Sequence, residues 1–77
     1  MALIDRINKS IDKIDKNIND VEKIELNTEE TEVFDRAKSY TYDGKYYLKK
    51  GDELTAFACI EYAHGLLDGI RMIKKLI

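Results

Sequence analysis

Residues 4–24 read IDRINKSIDKIDKNINDVEKI, and the spacing of the aliphatic side chains in this stretch decides the fold. Ile4, Ile7, Ile11, Ile14, Ile18 and Val21 recur at alternating steps of three and four. That is the a/d repeat of a single helix face, held for almost three heptads. β-Branched side chains ordinarily favour strands, but a period of two fails here. Asp12, Lys16 and Asp20 fall in phase with Ile14 and Ile18, so an extended strand would mix charge into its apolar face. Period outweighs propensity, and the spacing predicts a helix over about residues 2–24.

Working outward, Asn27-Thr28-Glu29-Glu30 reads as the next helix start. Asn27 or Thr28 can cap orphan N–H groups, and Glu30 stands where a capping box begun at Asn27 places its acid. Glu29, Glu30 and Glu32 suit the positive end of a helix dipole. Phe34, Ala37, Thr41, Gly44 and Leu48 then share one face, flanked by Val33, Tyr40 and Tyr47, which predicts a second helix over about 28–50. Lys49-Lys50-Gly51-Asp52 closes it: lysines suit a helix C-terminus, Gly51 can take the left-handed C′ position, and Asp52 can cap a third helix over about 52–76. So short a connection folds the second and third helices antiparallel. Ala56, Ile60, Ala63, Leu67 and Ile70 form one line on the third helix, widened by Cys59, Leu66, Ile73 and Ile77. An arc that wide implies contact with both other helices. The expectation is an all-α, antiparallel up-down-up three-helix bundle, one domain over residues 1–77.

Composition narrows the function classes. A chain of 77 residues is too short for two cores, and its stability margin is thin. One cysteine, Cys59, and one histidine, His64, allow neither an internal disulfide nor the ligand set of a structural zinc. A net charge of −2 gives no global attraction to nucleic acid. The N-terminus lacks the apolar core of a signal peptide and no run is long enough to span a membrane. These features predict a cytoplasmic protein with a reduced thiol, with no membrane contact and no cofactor.

Four surface features are candidates for function. Arg6, Lys9, Lys13, Lys16 and Lys23 form a basic stripe opposite the isoleucine seam. It is the place for weak nucleic-acid contact, but its reading as a solvated outer face is favoured, because Asp5, Asp12 and Asp20 dilute it. Tyr42 and Tyr46 fall off the core face of the second helix, one turn apart, and two exposed aromatics together mark a possible interface. Ala58, Tyr62, Gly65 and Gly69 form a strip of mostly small side chains on the third helix. Each interior glycine costs about 1 kcal/mol against alanine, so a close-lying backbone is implied, from the same chain or from a second copy. The thin core favours the same chain. His64, Asp68 and Arg71, with Glu61 nearby, are spaced so that Asp68 can orient the imidazole or bridge it to the guanidinium. No positioned nucleophile accompanies them, since Ser10 and Ser39 lie in no nucleophile-elbow context. No catalytic residue and no metal site is assigned.

Ala37-Lys38-Ser39-Tyr40, Asp43-Gly44-Lys45-Tyr46-Tyr47-Leu48, Gly51-Asp52, Ala56-Phe57-Ala58 and the string Tyr62-Ala63-His64-Gly65-Leu66-Leu67-Asp68-Gly69 with Arg71 resemble an archaeal family known as domain-of-unknown-function family 357. The resemblance covers roughly residues 30–73. The first helix matches it in pattern rather than in residues, and Gly69 stands where many members carry alanine. It implies a three-helix up-and-down bundle with no assigned activity, and so no catalytic residue to carry over. Members fused to nucleotidyltransferase-like domains would fit an accessory or interaction module. Tyr62, His64, Asp68 and Arg71 are the positions where this chain meets the family's signature. A weaker likeness to tetratricopeptide-type helical hairpins concerns packing alone, because one hairpin cannot build a solenoid. The sequence therefore favours a non-catalytic module that contacts a protein partner or itself through Tyr42, Tyr46, Gly65 and Gly69. The alternative is a small-ligand or accessory enzymatic role centred on His64, Asp68 and Arg71.

Overall fold

Turn chemistry sets where each helix stops. A computed structural model describes residues 2–77 and contains α1 (Leu3–Glu22), α2 (Thr28–Lys49) and α3 (Glu53–Ile73); Met1, included in the expected domain, lies outside the described residues. The capping box at α2 is complete. Asn27 Oδ1 accepts from the Glu30 N–H at 2.8 Å, and Glu30 Oε1 accepts from the Asn27 N–H at 2.9 Å. Between α2 and α3, Gly51 takes φ +83°. The Asp52 N–H then reaches back to the Tyr47 carbonyl and the Gly51 N–H to that of Leu48, a Schellman closure. Asp52 caps α3 through the Thr55 N–H at 3.1 Å.

The same closure ends α3 without a glycine. The Leu76 N–H reaches the Arg71 carbonyl at 2.8 Å and the Lys75 N–H that of Met72 at 3.1 Å, while Lys75 itself sits at φ 59°. This is why α3 stops at Ile73, short of the expected 76. A left-handed conformation costs an L-residue roughly 1 kcal/mol. Lys75→Gly is therefore expected to stabilise the fold by about 0.5–1 kcal/mol, read as a rise in calorimetric Tm; an unchanged or lower Tm would contradict the closure.

The core confirms most of the expected faces. Ile7, Ile14, Val21, Phe34, Ala37, Ala56, Ile60, Ala63, Leu67 and Ile70 are buried. Thr41 is buried beside them, its hydroxyl donating to the Ala37 carbonyl at 2.8 Å. Gly44 leaves no room for a side chain against α3: a Cβ there would lie 2.5 Å from Ile60 Cδ1 and 3.4 Å from the Ala56 carbonyl oxygen. Ile73 and Ile77, expected to widen the core arc, are instead exposed: Ile73 falls on the outward side of α3, and the closure at Lys75 turns Ile77 off the helix.

Helix α3 is the middle element. It runs antiparallel to α2, with Tyr40 edge-on to Tyr62 at 4.6 Å between ring centroids. It runs parallel to α1, where Arg6 lies over the Phe57 ring and the Ser10 hydroxyl donates to Glu61 at 3.3 Å. α1 packs chiefly on α3 and touches α2 far less. In consequence the isoleucine seam is not buried evenly. Ile7, Ile14 and Val21 are fully enclosed, Ile11 and Ile18 are half-buried, and Ile4 is exposed. The α1–α2 flank is bridged by charge instead: Lys45 Nζ bonds both Asp15 carboxylate oxygens at 2.9 and 3.1 Å, and Lys38 lies 3.8 Å from Glu22.

One ion pair ties the chain's far end to the α2 start. Lys74 Nζ lies 2.9 Å from Glu30 Oε1. The Asn27 N–H first, and then Lys74, holds the Glu30 carboxyl below its ordinary value. A carboxyl depressed in the fold stabilises it above its unfolded pKa and loses that contribution as pH falls through the folded value. Glu30→Gln is therefore expected to flatten the acid limb of Tm against pH below roughly pH 4. An acid limb of unchanged slope would count against this linkage.

Candidate functional site

Of the four surface features that the sequence singles out, three lie on separate surfaces of α2 and α3, and the basic stripe lies on α1. The polar run lies on the flank of α3 that faces α1. Asp68 bridges its neighbours there: Oδ1 accepts from Arg71 Nη1 at 3.0 Å, and Oδ2 lies 3.5 Å from His64 Nε2. Arg71 is mostly covered, and its buried Nε has no hydrogen-bond partner. The chain offset of Arg6–Phe57 and Ser10–Glu61 puts Asn17 of α1 level with Asp68. Asn17 is buried, a polar residue in the α1–α3 seam that the isoleucine spacing does not reveal. Tyr62, grouped with this run in the sequence, stands apart from it, on the side where it meets Tyr40.

The tyrosine pair lies on α2. Tyr42 and Tyr46 are both exposed, and with Lys45 and Lys49 they line a shallow depression of about 230 Å³. That is smaller than the roughly 300 Å³ at which ligand pockets begin. One of its two cations is already engaged, since Asp15 holds Lys45. Tyr46 packs edge-on to Tyr47 at 5.3 Å, and Lys50 lies over the Tyr46 ring at 5.5 Å. The four side chains belong to one helix face, so the depression is a furrow between them rather than a chamber between helices.

The third surface is the outward face of α3. Gly65 and Gly69 are exposed, and a Cβ added at either would meet nothing within 4 Å. The expectation that they admit a backbone of the same chain is thus corrected. Only Gly44 does so, because α1 and α2 occupy the other flanks of α3 and leave this one to solvent. Leu54 is 77% exposed, Tyr62 55%, Met72 65% and Ile73 66%. Together with Ala58, Gly65 and Gly69 they make a face of α3 without a charge along its centre; Glu61 and Asp68 border one edge. Of these, the sequence does not single out Leu54 and Met72, and it assigns Ile73 to the core arc instead. The signal was present in the spacing: Ala58, Tyr62, Gly65, Gly69 and Met72 recur at steps of four, three, four and three. That is a second heptad seam, on the side of the helix opposite the core line of Ala56, Ile60, Ala63, Leu67 and Ile70.

The basic stripe of α1 stays at the surface, with Arg6 drawn onto Phe57 and Lys9, Lys13, Lys16 and Lys23 exposed. Cys59 is half-buried, and burial, followed by the Asp43 and Asp52 charges, pushes its thiol pKa up, away from the thiolate a nucleophile requires. No group of three or more His, Cys, Asp or Glu side chains able to hold a metal occurs among the described residues. No helix described is long and apolar enough to cross a membrane.

A family model described as "Protein of unknown function (DUF357)" matches residues 4–76. The match takes in all of α1 after Leu3, which the resemblance over residues 30–73 had included by pattern alone. No curated protein matches the chain.

Proposed function

We propose that this chain, which belongs to the DUF357 family of proteins of unknown function, is a non-catalytic helical interaction module that engages a protein through the outward face of α3. The observation that carries the reading is the second heptad seam. An apolar stripe on a helix calls for a covering neighbour, and α1 and α2 cover only the other two sides of α3. The glycines support it further. Gly65 and Gly69 each sacrifice about 1 kcal/mol of helix propensity with no neighbour in the fold to require them. A close-lying backbone from outside the chain supplies the requirement.

In this reading His64, Asp68 and Arg71 form the polar border of the face toward α1. Both Asp68 oxygens have partners along the helix, as a structural network would have. Tyr42 and Tyr46 form a separate surface on α2 and are not needed for the contact.

A photocrosslinking amino acid placed at Ala58 tests the reading, with the same group at Lys9 on α1 as the reference. In native extract the probe at 58 is expected to yield a discrete adduct that the probe at 9 does not. Equal yields from the two positions, or none from 58, would refute it.

A further inference from the structure

We infer that α1 is a detachable strap: it lifts from the α2–α3 hairpin as one unit while the hairpin stays folded, and so bares the flank of α3 that carries Phe57, Glu61 and Asp68. This concerns a different side of α3 from the outward face and does not depend on what covers that face. The hairpin is held at several points. Its turn closes at Gly51, both of its helices begin at a side-chain cap, and Ile60 fills the space that Gly44 leaves. Its two helices supply Phe34, Ala37, Ala56, Ile60, Ala63, Leu67 and Ile70 to the core, where α1 supplies Ile7, Ile14 and Val21. α1 also starts at Ala2 with no side-chain cap and has no basic residue in its last turn, so its ends add little to its stability.

The contacts that hold α1 are of kinds that give way at low cost. It touches α2 far less than α3. On the α2 side its ion pairs, Asp15 with Lys45 and Glu22 with Lys38, are between solvent-exposed side chains, and such pairs contribute little. On the α3 side the seam encloses polar groups. Asn17 is buried there, and Arg71 Nε is buried without a protein partner. Lifting α1 returns both to water, which offsets part of the apolar contact that is lost. An element with few buried apolar contacts opens at a lower free energy than the molecule as a whole. Ile24 and Leu26 pack against the core at the start of α2 and place the hinge in the link that follows α1.

Native-state hydrogen exchange on the whole chain, followed residue by residue in graded low urea, tests the strap. The amides of Ile11, Ile14 and Ile18 are expected to share one urea dependence, shallower than that of Ile60 and Leu67. Their protection should be lower by about tenfold or more. Gly65→Ala separates this from ordinary unfolding. Its methyl meets nothing in the fold, so it strengthens α3 equally whether α1 is seated or lifted. Protection of Ile60 and Leu67 should then rise about fivefold while that of Ile14 stays unchanged. Equal protection in all three helices, or an equal rise at Ile14 in Gly65→Ala, would mean that α1 leaves only when the whole chain unfolds, and overturns the proposal. Protection that declines evenly toward Leu3 with no shared urea dependence is fraying of one end, and overturns it equally.

Discussion

Replacing Ile14 by Ala is expected to destabilise the fold by about 3 kcal/mol. Ile14 is fully enclosed at the middle of α1, in the line that docks on α3. Truncating it removes three carbons from a packed site and leaves a cavity whose walls, held by two other helices, relax only in part. A 77-residue chain commands roughly 4–11 kcal/mol in total, so this single change takes a large share of it. Ile18→Ala is the informative control. Ile18 belongs to the same seam but is only half-buried, because the α1–α2 flank is open, and its loss should be nearer 1 kcal/mol. Urea midpoints of the two variants, with unchanged slopes, measure the difference. Equal losses would mean that α1 sits symmetrically in a notch between α2 and α3, contrary to this fold.

Gly44→Val is expected to cost a similar amount, about 3 kcal/mol, by the opposite mechanism. The first atom added would lie 2.5 and 2.6 Å from two side-chain carbons of Ile60. Ile60 is itself fully buried and β-branched, so it cannot swing aside into a free rotamer. Gly44→Ala should cost less, since its gain of about 1 kcal/mol in helix propensity offsets part of the overpacking. Combining Gly44→Ala with Ile60→Ala should restore at least about 1 kcal/mol relative to the two single losses added together. Strict additivity would show that the two residues do not meet. Gly65→Ala provides the contrast: the same substitution in the same kind of helix should stabilise the protomer by about 1 kcal/mol, because nothing faces it.

These opposite expectations for chemically identical changes show what the sequence could and could not disclose. Helix ends were legible because they depend on local chemistry. Asn27 with Glu30, and Gly51 with Asp52, act on atoms within a few residues of themselves, and each closes as expected. The Lys75 closure escaped because a lysine gives no sign that it will adopt a glycine's conformation. The core lines of α2 and α3 were legible from their period. How deeply α1 is seated was not, because a heptad seam states which face is apolar and leaves open whether one neighbour or two will cover it. The three glycines Gly44, Gly65 and Gly69 are alike as letters. Only the fold separates the one pressed against Ile60 from the two that face open space. The outer seam was partly visible: the small residues drew notice, while Met72 and Leu54 belong to it through a spacing that the stronger core line obscured. His64, Asp68 and Arg71 were legible as neighbours along one helix, but their turn toward α1 and the buried Asn17 at their level required the register between helices.

In the proposed reading, α3 has two faces, one sealed by its own chain and one that another molecule covers. Methyl NMR with a soluble paramagnetic agent tests it directly, through the signals of Met72 and Leu54. In dilute solution both should be strongly broadened by the agent. Native extract should shield them while Ile4, exposed on α1, stays as broadened as before. Met72 and Leu54 signals that remain as accessible as Ile4 in native extract would contradict a covered outer face.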